Sequence, residues 1–530
     1  MNVVIALIPI ILLFVLMLGF KVSSHKSALA TLIVTAFLAL WVAPSMDMLP
    51  ERFVGVSTYS MVGWSVVEGV LKAVFPILII ILMAIFSYNI LVASKAIEVI
   101  KAQFTSFTDD RGILVLMMVW GFGGLLEGMA GFGTAVAIPA AILIGLGFKP
   151  MFSALVALLG NTVATGFGAV GVPVTTLCNE VSPGGVASAA TVSQISAFTI
   201  LQLAPLFILI PFIILTITDR RAWLKNLALS FWTGGVSLAV QFVCAHYLGA
   251  ETPAIIGSIA AIGAILLYAA VFSPKKKKRH DEAPATHYGF GETFKAWSVY
   301  IFILVFILVS GALCPPVNGF LKSHLVTQVP LPVIGSTFKF GWLSNAGLML
   351  FLGSMVGGLI QGLSFMALMR ILAKTLYNMR YTIVTITCLI ALASVMNYSG
   401  MIQTIAIGMV AISGSFYPFF APLIGAIGTF VTGSDTSSNI LFGKLQASVA
   451  HQLGLTGQTT YLGVPGSETN WLVAGNTTGA TGGKMISPQS VAIATAACDM
   501  EGKDDAILRK AVPYALFYIF VGGLMVFLGW

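Results

Sequence analysis

Charge is the scarcest property of this chain. Asp, Glu, Lys and Arg make up 9% of its 530 residues, while 58% are hydrophobic. A soluble domain carries about 25% charge. Long polar stretches are scarce as well: the longest, residues 273–293, leaves no room for a soluble domain. Cysteine is sparse and scattered. Cys178, Cys244, Cys314, Cys388 and Cys498 include no CxxC pair, which argues against a disulfide framework and a metal site. His25, His246, His280, His287, His324 and His451 all fall in expected loops or helix ends, and no two have metal-ligand spacing on a helix. HExxH and nucleophile-elbow motifs are missing. These absences argue against a membrane enzyme, and no cofactor or metal is expected. Arginine runs of the voltage-sensing kind are also missing, which argues against a voltage-gated channel.

What is present is apolar sequence in runs of membrane-spanning length. A transmembrane helix needs about 20 predominantly apolar residues, and the mean hydropathy of +0.98 reflects how much of the chain falls into such runs. The lipid bilayer is therefore its first partner. The spacing predicts about twelve spans: 3–20, 28–44, one ending near Ala93, 151–177, 191–217, 227–248, 254–273, 297–314, 341–367, 381–412, 471–496 and 512–529. The third is preceded by a less regular piece, 61–72, in which Glu68 and Lys72 are spaced to pair on one helix face.

The first run has no basic residue before it and Lys21 and Lys26 after it. A signal peptide carries its positive charge in front, so a retained helix with an outer N-terminus is expected. Net charge of +8 and the run KKKKR (275–279) raise a nucleic-acid reading. Cytoplasmic loops of membrane proteins collect Lys and Arg, so the run instead marks the inner side, and no nucleic-acid partner is expected. With both termini periplasmic or extracellular, every Lys and Arg falls inside except Arg52, Lys322 and Lys339 outside, and Lys72, Lys444 and Lys484 in or beside membrane elements.

Two stretches do not fit plain spans. Residues 121–134 (GFGGLLEGMAGFGT) hold six glycines and Glu127 within an apolar run. Glycine costs roughly 1 kcal/mol relative to alanine in a helix, and an acid deep in lipid is tolerated only facing protein or water. Arg111 and Lys149 flank this run, and both favour the cytoplasm. A re-entrant hairpin over 113–148 satisfies both. Residues 415–446 repeat the pattern, with Pro418 and Pro422 early and GSDTSS in the middle. Each hairpin precedes a span expected to be broken, at Gly160-Asn161-Thr162 and at Gly475-Asn476-Thr477.

The order of elements predicts inverted-topology repeats. Residues 1–217 form the first, 218–296 connect, and 297–530 form the second. In such folds the site lies near the midplane, where broken helices meet. Half-helix N-termini carry free N–H groups and partial positive charge. Thr134, Asn161, Thr162 and Thr165 in the first half, and Ser434, Thr436, Ser437, Ser438, Asn439, Asn476, Thr477 and Thr478 in the second, add side-chain donors. Lys484 is the basic residue in the middle of a broken span. Together they suit a small anion, most simply a carboxylate. Glu127 and Asp435 are candidates to carry a proton with it, although an acid of this kind also holds Na⁺ with backbone carbonyls.

The segments LLEGMAGFGTAVAIPAAILIGLGFKP, GSDTSSNILFGKLQ and NTTGATGGKMISPQSVAIA closely resemble the bacterial L-lactate permease family. The likeness runs through nearly the whole chain in length, hydropathy and motif order. It implies an inner-membrane symporter that imports L-lactate with H⁺, accepting D-lactate, glycolate and related short 2-hydroxy monocarboxylates. Glu127, Asn161, Ser434, Asp435, Asn439, Asn476 and Lys484 match family motif positions. A more distant similarity to ion transporters with paired hairpins implies an elevator-type movement, and a homo-oligomer is compatible with it. The same-class alternative is a cation/proton antiporter or a carrier of another small carboxylate. The Gly-rich first hairpin and hydroxyl-rich second favour an asymmetric monocarboxylate over a dicarboxylate.

Overall fold

The computed structural model describes all residues except 1, 47, 51–52, 54, 106–107, 109, 130, 132, 273–287, 311–313, 501–502 and 530. The KKKKR run and Arg52 therefore lie outside the described residues. The protein is a helical multi-pass membrane protein, with two small β-hairpins among the described residues. Among the described residues, ten helices are long and apolar enough to cross a bilayer, or eleven counting one bent pair. The expected count of about twelve does not survive. The apolar helices Asn2–Met17 and Ala346–Ile360 are shorter than a span.

Helix α1 (Asn2–Phe14) leads to α2 (Ser24–Phe37), which a wide turn continues into α3 (Ala43–Ser45). The apolar run after them splits into α4 (Thr58–Lys72) and α5 (Ile79–Ala93). Phe75 between them is extended, with φ −124° and ψ 107°. Pro76 follows it, and proline disfavours the helical region for its predecessor. α6 (Ala96–Thr105) comes next.

The first expected hairpin is formed by α7 (Arg111–Leu116) and α8 (Gly123–Met129), joined by a wide turn, and by the returning α9 (Thr134–Gly145). Asp110 caps α7 by accepting from the Gly112 and Ile113 amides. Gly133, at φ 84°, makes the reversal into α9.

α10 (Pro150–Gly160) and α11 (Gly168–Val181) are the bent pair, at 47°. The helix stops where the sequence predicts, at Asn161. Ala169, Val170 and Gly171 then make a left-handed turn, with φ of 44°, 58° and 75°. Left-handed backbone costs about 1–2 kcal/mol for each residue with a Cβ, so packing must hold Ala169 and Val170 there. Three long helices follow side by side: α12 (Ala189–Thr218), α13 (Trp223–Tyr247) and α14 (Pro253–Phe272).

The second half begins with α15 (Phe290–Ser310) and α16 (Pro315–Ser323). The expected outer loop then carries an antiparallel hairpin of β1 (Val326–Leu331) and β2 (Ser336–Gly341). α17 (Ala346–Ile360) takes the place of the expected span 341–367, and α18 (Phe365–Asn378) adds a helix over the expected inner side. Gly362, at φ 93°, turns the chain between them. The expected single helix 381–412 is two, α19 (Arg380–Tyr398) and α20 (Met401–Ser413). Gly400 between them sits at φ 78° directly against the Met48 carbonyl.

α21 (Tyr417–Thr432) and α22 (Asp435–Gln452) form the second hairpin, reversed at Gly433 with φ 73°. β3 (Gln458–Tyr461) and β4 (Val464–Ser467) pair antiparallel, and α23 (Glu468–Lys484), α24 (Pro488–Ala497) and α25 (Asp504–Leu528) complete the chain.

The expected span 471–496 is broken, but between Lys484 and Pro488 rather than at Asn476-Thr477: α23 runs helically through both of those residues and stops at Lys484. Its glycines serve contact rather than unwinding. A Cβ on Gly479 would meet the Pro422 carbonyl, and one on Gly483 the Ala426 carbonyl, both on α21. Small residues permit such close approach of helix backbones in membranes.

Cross-packing ties the halves together. α2 packs on α19 and α5 on α17; α9 packs on α24 and α11 on α22. Gly479→Ala should lower the thermal midpoint of the detergent-solubilised protein, since overpacking costs about 1–3 kcal/mol. Gly263→Ala on α14, where an added Cβ meets nothing within 4 Å, should leave it unchanged.

Candidate functional site

Both hairpin turns and both helix interruptions open onto one cavity of about 470 Å³. Four helix starts reach it: α9 through Gly131 and Gly133, α11 through Val172 and Pro173 after its left-handed turn, α22 through Ser434 to Ser437, and α24 through Gln489 and Ser490. The first amides of a helix have no intrahelical acceptor, and the dipole makes that end positive. Some of these donors are already used. Ser434 Oγ accepts from the Ser437 amide at 3.3 Å, and Ser487 Oγ from the Ser490 amide at 3.2 Å.

Two acids line the same space. Glu127, on the last turn of α8, is 3% exposed, and Asp435, the first residue of α22, is 2% exposed. No donor meets Glu127 Oε2 or either Asp435 carboxylate oxygen in good hydrogen-bond geometry, although Asn161 lies beside Glu127 and Thr165 and Thr429 beside Asp435. An unpaired buried polar group costs about 1–3 kcal/mol, and more if charged. Lys484, at the C-terminus of α23, also lines the cavity and lies within electrostatic reach of both acids. Among the described residues no ion pair joins it to either.

α24 braces both turns. Gln489 Oε1 lies against Gly433, and Ile493 Cδ1 against Gly133. Glu127 Oε1 lies against Gly168, so a side chain there would run into the carboxylate. The remaining wall reaches solvent where Ser23 and Tyr381 are exposed; at this mouth His25 of α2 stacks on Tyr381 of α19 with ring centroids 4.5 Å apart.

Of the predicted site residues, Ser434, Thr436, Ser437, Lys484, Glu127 and Asp435 meet at this cavity, together with Thr165. The others do not line it. The Thr134 hydroxyl donates to the Gly131 carbonyl at 2.8 Å, and the Thr162 hydroxyl to the Leu159 carbonyl at 2.8 Å. Asn161 is buried beside Glu127, close enough to interact with its carboxylate but outside good hydrogen-bond geometry. Asn439, Asn476, Thr477 and Ser438 form a network behind the cavity. Asn439 Nδ2 donates to Thr477 Oγ1 and to the Pro173 carbonyl, each at 2.9 Å, and Asn476 Nδ2 donates to Asn439 Oδ1 at 2.9 Å. Ser438 Oγ donates to the Gly425 carbonyl at 2.7 Å. Nearby, Gln202 of α12 donates to the Trp471 carbonyl at 2.8 Å and accepts from the Thr478 hydroxyl at 2.7 Å.

Sequence reasoning missed Gln489, Ser490, His25 and Tyr381. Gln489 and Ser490 were findable, because Pro488 opens a helix and so places their amides at an N-terminus. His25 and Tyr381 carry no local signal.

The L-lactate permease family model matches residues 2–529. An L-lactate permease of Streptococcus iniae is 40% identical over 391 residues, covering 73% of this chain and 80% of that protein. The glycolate permease GlcA of Escherichia coli (strain K12) is 32% identical over 567 residues, covering 100% of this chain and 95% of that protein. Among solved structures, the YdaH transporter of Alcanivorax borkumensis shares the fold with a TM-score of 0.53 at 11% identity, over 94% of this chain and 98% of that one. The chain is thus a membrane transport protein rather than an enzyme, and it belongs to the L-lactate permease family.

Proposed function

We propose that the protein imports L-lactate, and with it D-lactate and glycolate, across the bacterial inner membrane by proton symport. The observation that carries this is the charge content of the cavity: four helix N-termini, one ammonium and two unpaired buried carboxylates. With both acids ionised, Lys484 leaves one net negative charge, which repels a second anion. One proton on either acid makes the site neutral, and two make it positive. Entry of a carboxylate is therefore linked to protonation of Glu127 or Asp435.

The substrate carboxylate would lie at the starts of α22 and α24 with Lys484 nearby. Its 2-hydroxyl would meet Ser434, Thr436 or Gln489, and the lactate methyl would face Val172 and Ile493. The names of the relatives support a short 2-hydroxy monocarboxylate.

Movement follows from the same reading. Residues 1–217 and 297–530 are taken as inverted repeats, joined by 218–296 and each containing a re-entrant hairpin. The reciprocal packing of α2 on α19 and α5 on α17, and of α9 on α24 and α11 on α22, is what a two-fold relation produces. The hairpins with α10–α12 and α23–α25 form the moving unit, and α1–α6 with α15–α20 the scaffold. Both termini lie outside, the loop containing KKKKR lies inside, and a homo-oligomer fits an elevator arrangement.

Reconstituted protein should accumulate labelled lactate under an imposed pH gradient, with saturation and with competition by glycolate but not succinate. Dependence on a Na⁺ gradient instead would overturn proton coupling. Lys484→Ala should raise the KM for lactate about thirtyfold or more, since losing one partner of a buried charge contact costs on the order of 2–5 kcal/mol. Wild-type uptake by that variant would remove Lys484 from the site. Glu127→Gln and Asp435→Asn should retain lactate exchange and lose pH-driven accumulation; if both keep it, the proton is carried elsewhere.

A further inference from the structure

Helix α19 connects two different places. Near its start, Tyr381 and Thr385 line the cavity mouth. At its end, the Tyr398 hydroxyl donates to Glu68 Oε1 at 2.9 Å. At about 1.5 Å per residue, Thr385 and Tyr398 are roughly 20 Å apart along the axis.

Around Glu68 lies a second group of buried charges. Lys72, one turn along α4, is 3.2 Å from Glu68 Oε1. From other elements come Glu180 of α11 and Lys444 of α22, which pair at 3.0 Å. Their side chains are nearly inaccessible, at 1% and 8% exposure for Glu68 and Lys72, and 2% and 10% for Glu180 and Lys444. Lys72 is within electrostatic reach of both Glu180 and Lys444, and its stem lies against Gly185, just beyond α11.

Glu180 and Lys444 stand on helices that also build the cavity. Each is displaced from it in the same sense. Glu180 is eight residues beyond Val172, and Lys444 seven beyond Ser437, so each lies roughly 10–12 Å further along its axis. This displacement is away from the mouth at His25 and Tyr381. The cluster therefore lies across the cavity from its opening. It joins α4 and α19 on one side to the cavity-bearing α11 and α22 on the other.

Stability alone does not account for such a contact. Buried ion pairs are often no better than well-packed apolar residues, yet breaking one by removing a partner costs about 3–5 kcal/mol. A half-made cluster is thus the costly state. The Glu68–Lys72 pair stands on α4 and the Glu180–Lys444 pair on α11 and α22, so the cluster is either whole and dry, with the Lys72 stem against Gly185, or parted into these two pairs and wet. That is a bistable element of the kind that supports discrete conformational change.

We propose that Glu68, Lys72, Glu180 and Lys444 form the lock that closes the cavity on the side opposite its mouth, and that its α4 pair parts from its α11–α22 pair whenever the cavity turns to that side. This rests on the moving-unit reading above, but not on the identity of the substrate. Neutralising one member leaves its partner uncompensated only in the closed state, because water solvates it in the open one. Single neutralisation therefore shifts the population toward opening on the cluster side.

A cysteine at Thr436, inside the cavity, reports the direction of access. It is labelled with a membrane-impermeant maleimide from each face of the membrane, against a background chain that lacks it. The unaltered protein should label mainly from the mouth side. Glu180→Gln and Lys444→Met should each raise labelling from the cluster side about tenfold, within the range of typical coupling energies. The reversed pair, Glu180→Lys with Lys444→Glu, should return it to the starting level. Unchanged cluster-side labelling in both single variants, with normal labelling from the mouth side, would overturn the lock. A cysteine at Thr477, buried behind the cavity, controls for unfolding. If a single variant exposes that position, the reversed pair decides: the original pattern upholds the lock, and persistent cluster-side labelling in a folded protein overturns it. Access from both sides that lactate does not alter would instead sink the moving-unit reading. One-sided access that lactate shifts and the variants do not would sink the lock alone.

Discussion

A helix that ends inside an apolar medium leaves amide or carbonyl groups with no acceptor or donor, and hydrocarbon supplies neither. That constraint governs the arrangement of this protein. The chain interrupts its helices in mid-molecule between α8 and α9, and around residues 161–167, 433–434 and 485–487. Each interruption is enclosed by other helices, and the resulting ends share one polar space. The long apolar helices α12 to α14 and the glycine contacts between α21 and α23 shield that space from lipid. Close packing and the open centre are thus two aspects of the same requirement.

The protein also holds buried charge in two contrasting forms. At the cavity, Glu127, Asp435 and Lys484 are near one another but unpaired, so the region is electrostatically incomplete. At the far cluster, Glu68 with Lys72 and Glu180 with Lys444 are paired at contact distance. An incomplete arrangement responds to an arriving ion or proton; a paired and dry one responds to water reaching it when the elements around it part. Low dielectric makes both responses steep.

Much of this was legible in the chain itself. Arg111 and Lys149 set the limits of the first hairpin, and Glu127 and Asp435 stood out as acids in apolar runs near its turn and that of the second. Asn161 was correctly placed at a helix break. Asn476, in a similar local setting, was not, because glycines at 479 and 483 are equally suited to unwinding and to close contact. Only the carbonyls of Pro422 and Ala426 on a neighbouring helix decide between them. The break before α20 has the same character, since Gly400 answers to the Met48 carbonyl far away in sequence. Asn439 and Asn476 looked like ligand donors, but their side chains are taken up by each other and by Pro173 and Thr477. Residue type announced polarity in each case; the partner came from tertiary packing.

Those same hydrogen bonds bear on stoichiometry. Asn439 of the second hairpin donates to the Pro173 carbonyl of α11, and Gln202 of α12 donates to the Trp471 carbonyl of α23. Each bond crosses between the two halves of the chain, and each is buried. Glu127 belongs to one half and Asp435 to the other, yet these ties prevent the halves from travelling separately. In the proposed movement the two acids would therefore cross together, as parts of one body. The number of charges moved per cycle would then be a property of the joined body, fixed by its occupancy rather than by the independent timing of two half-sites.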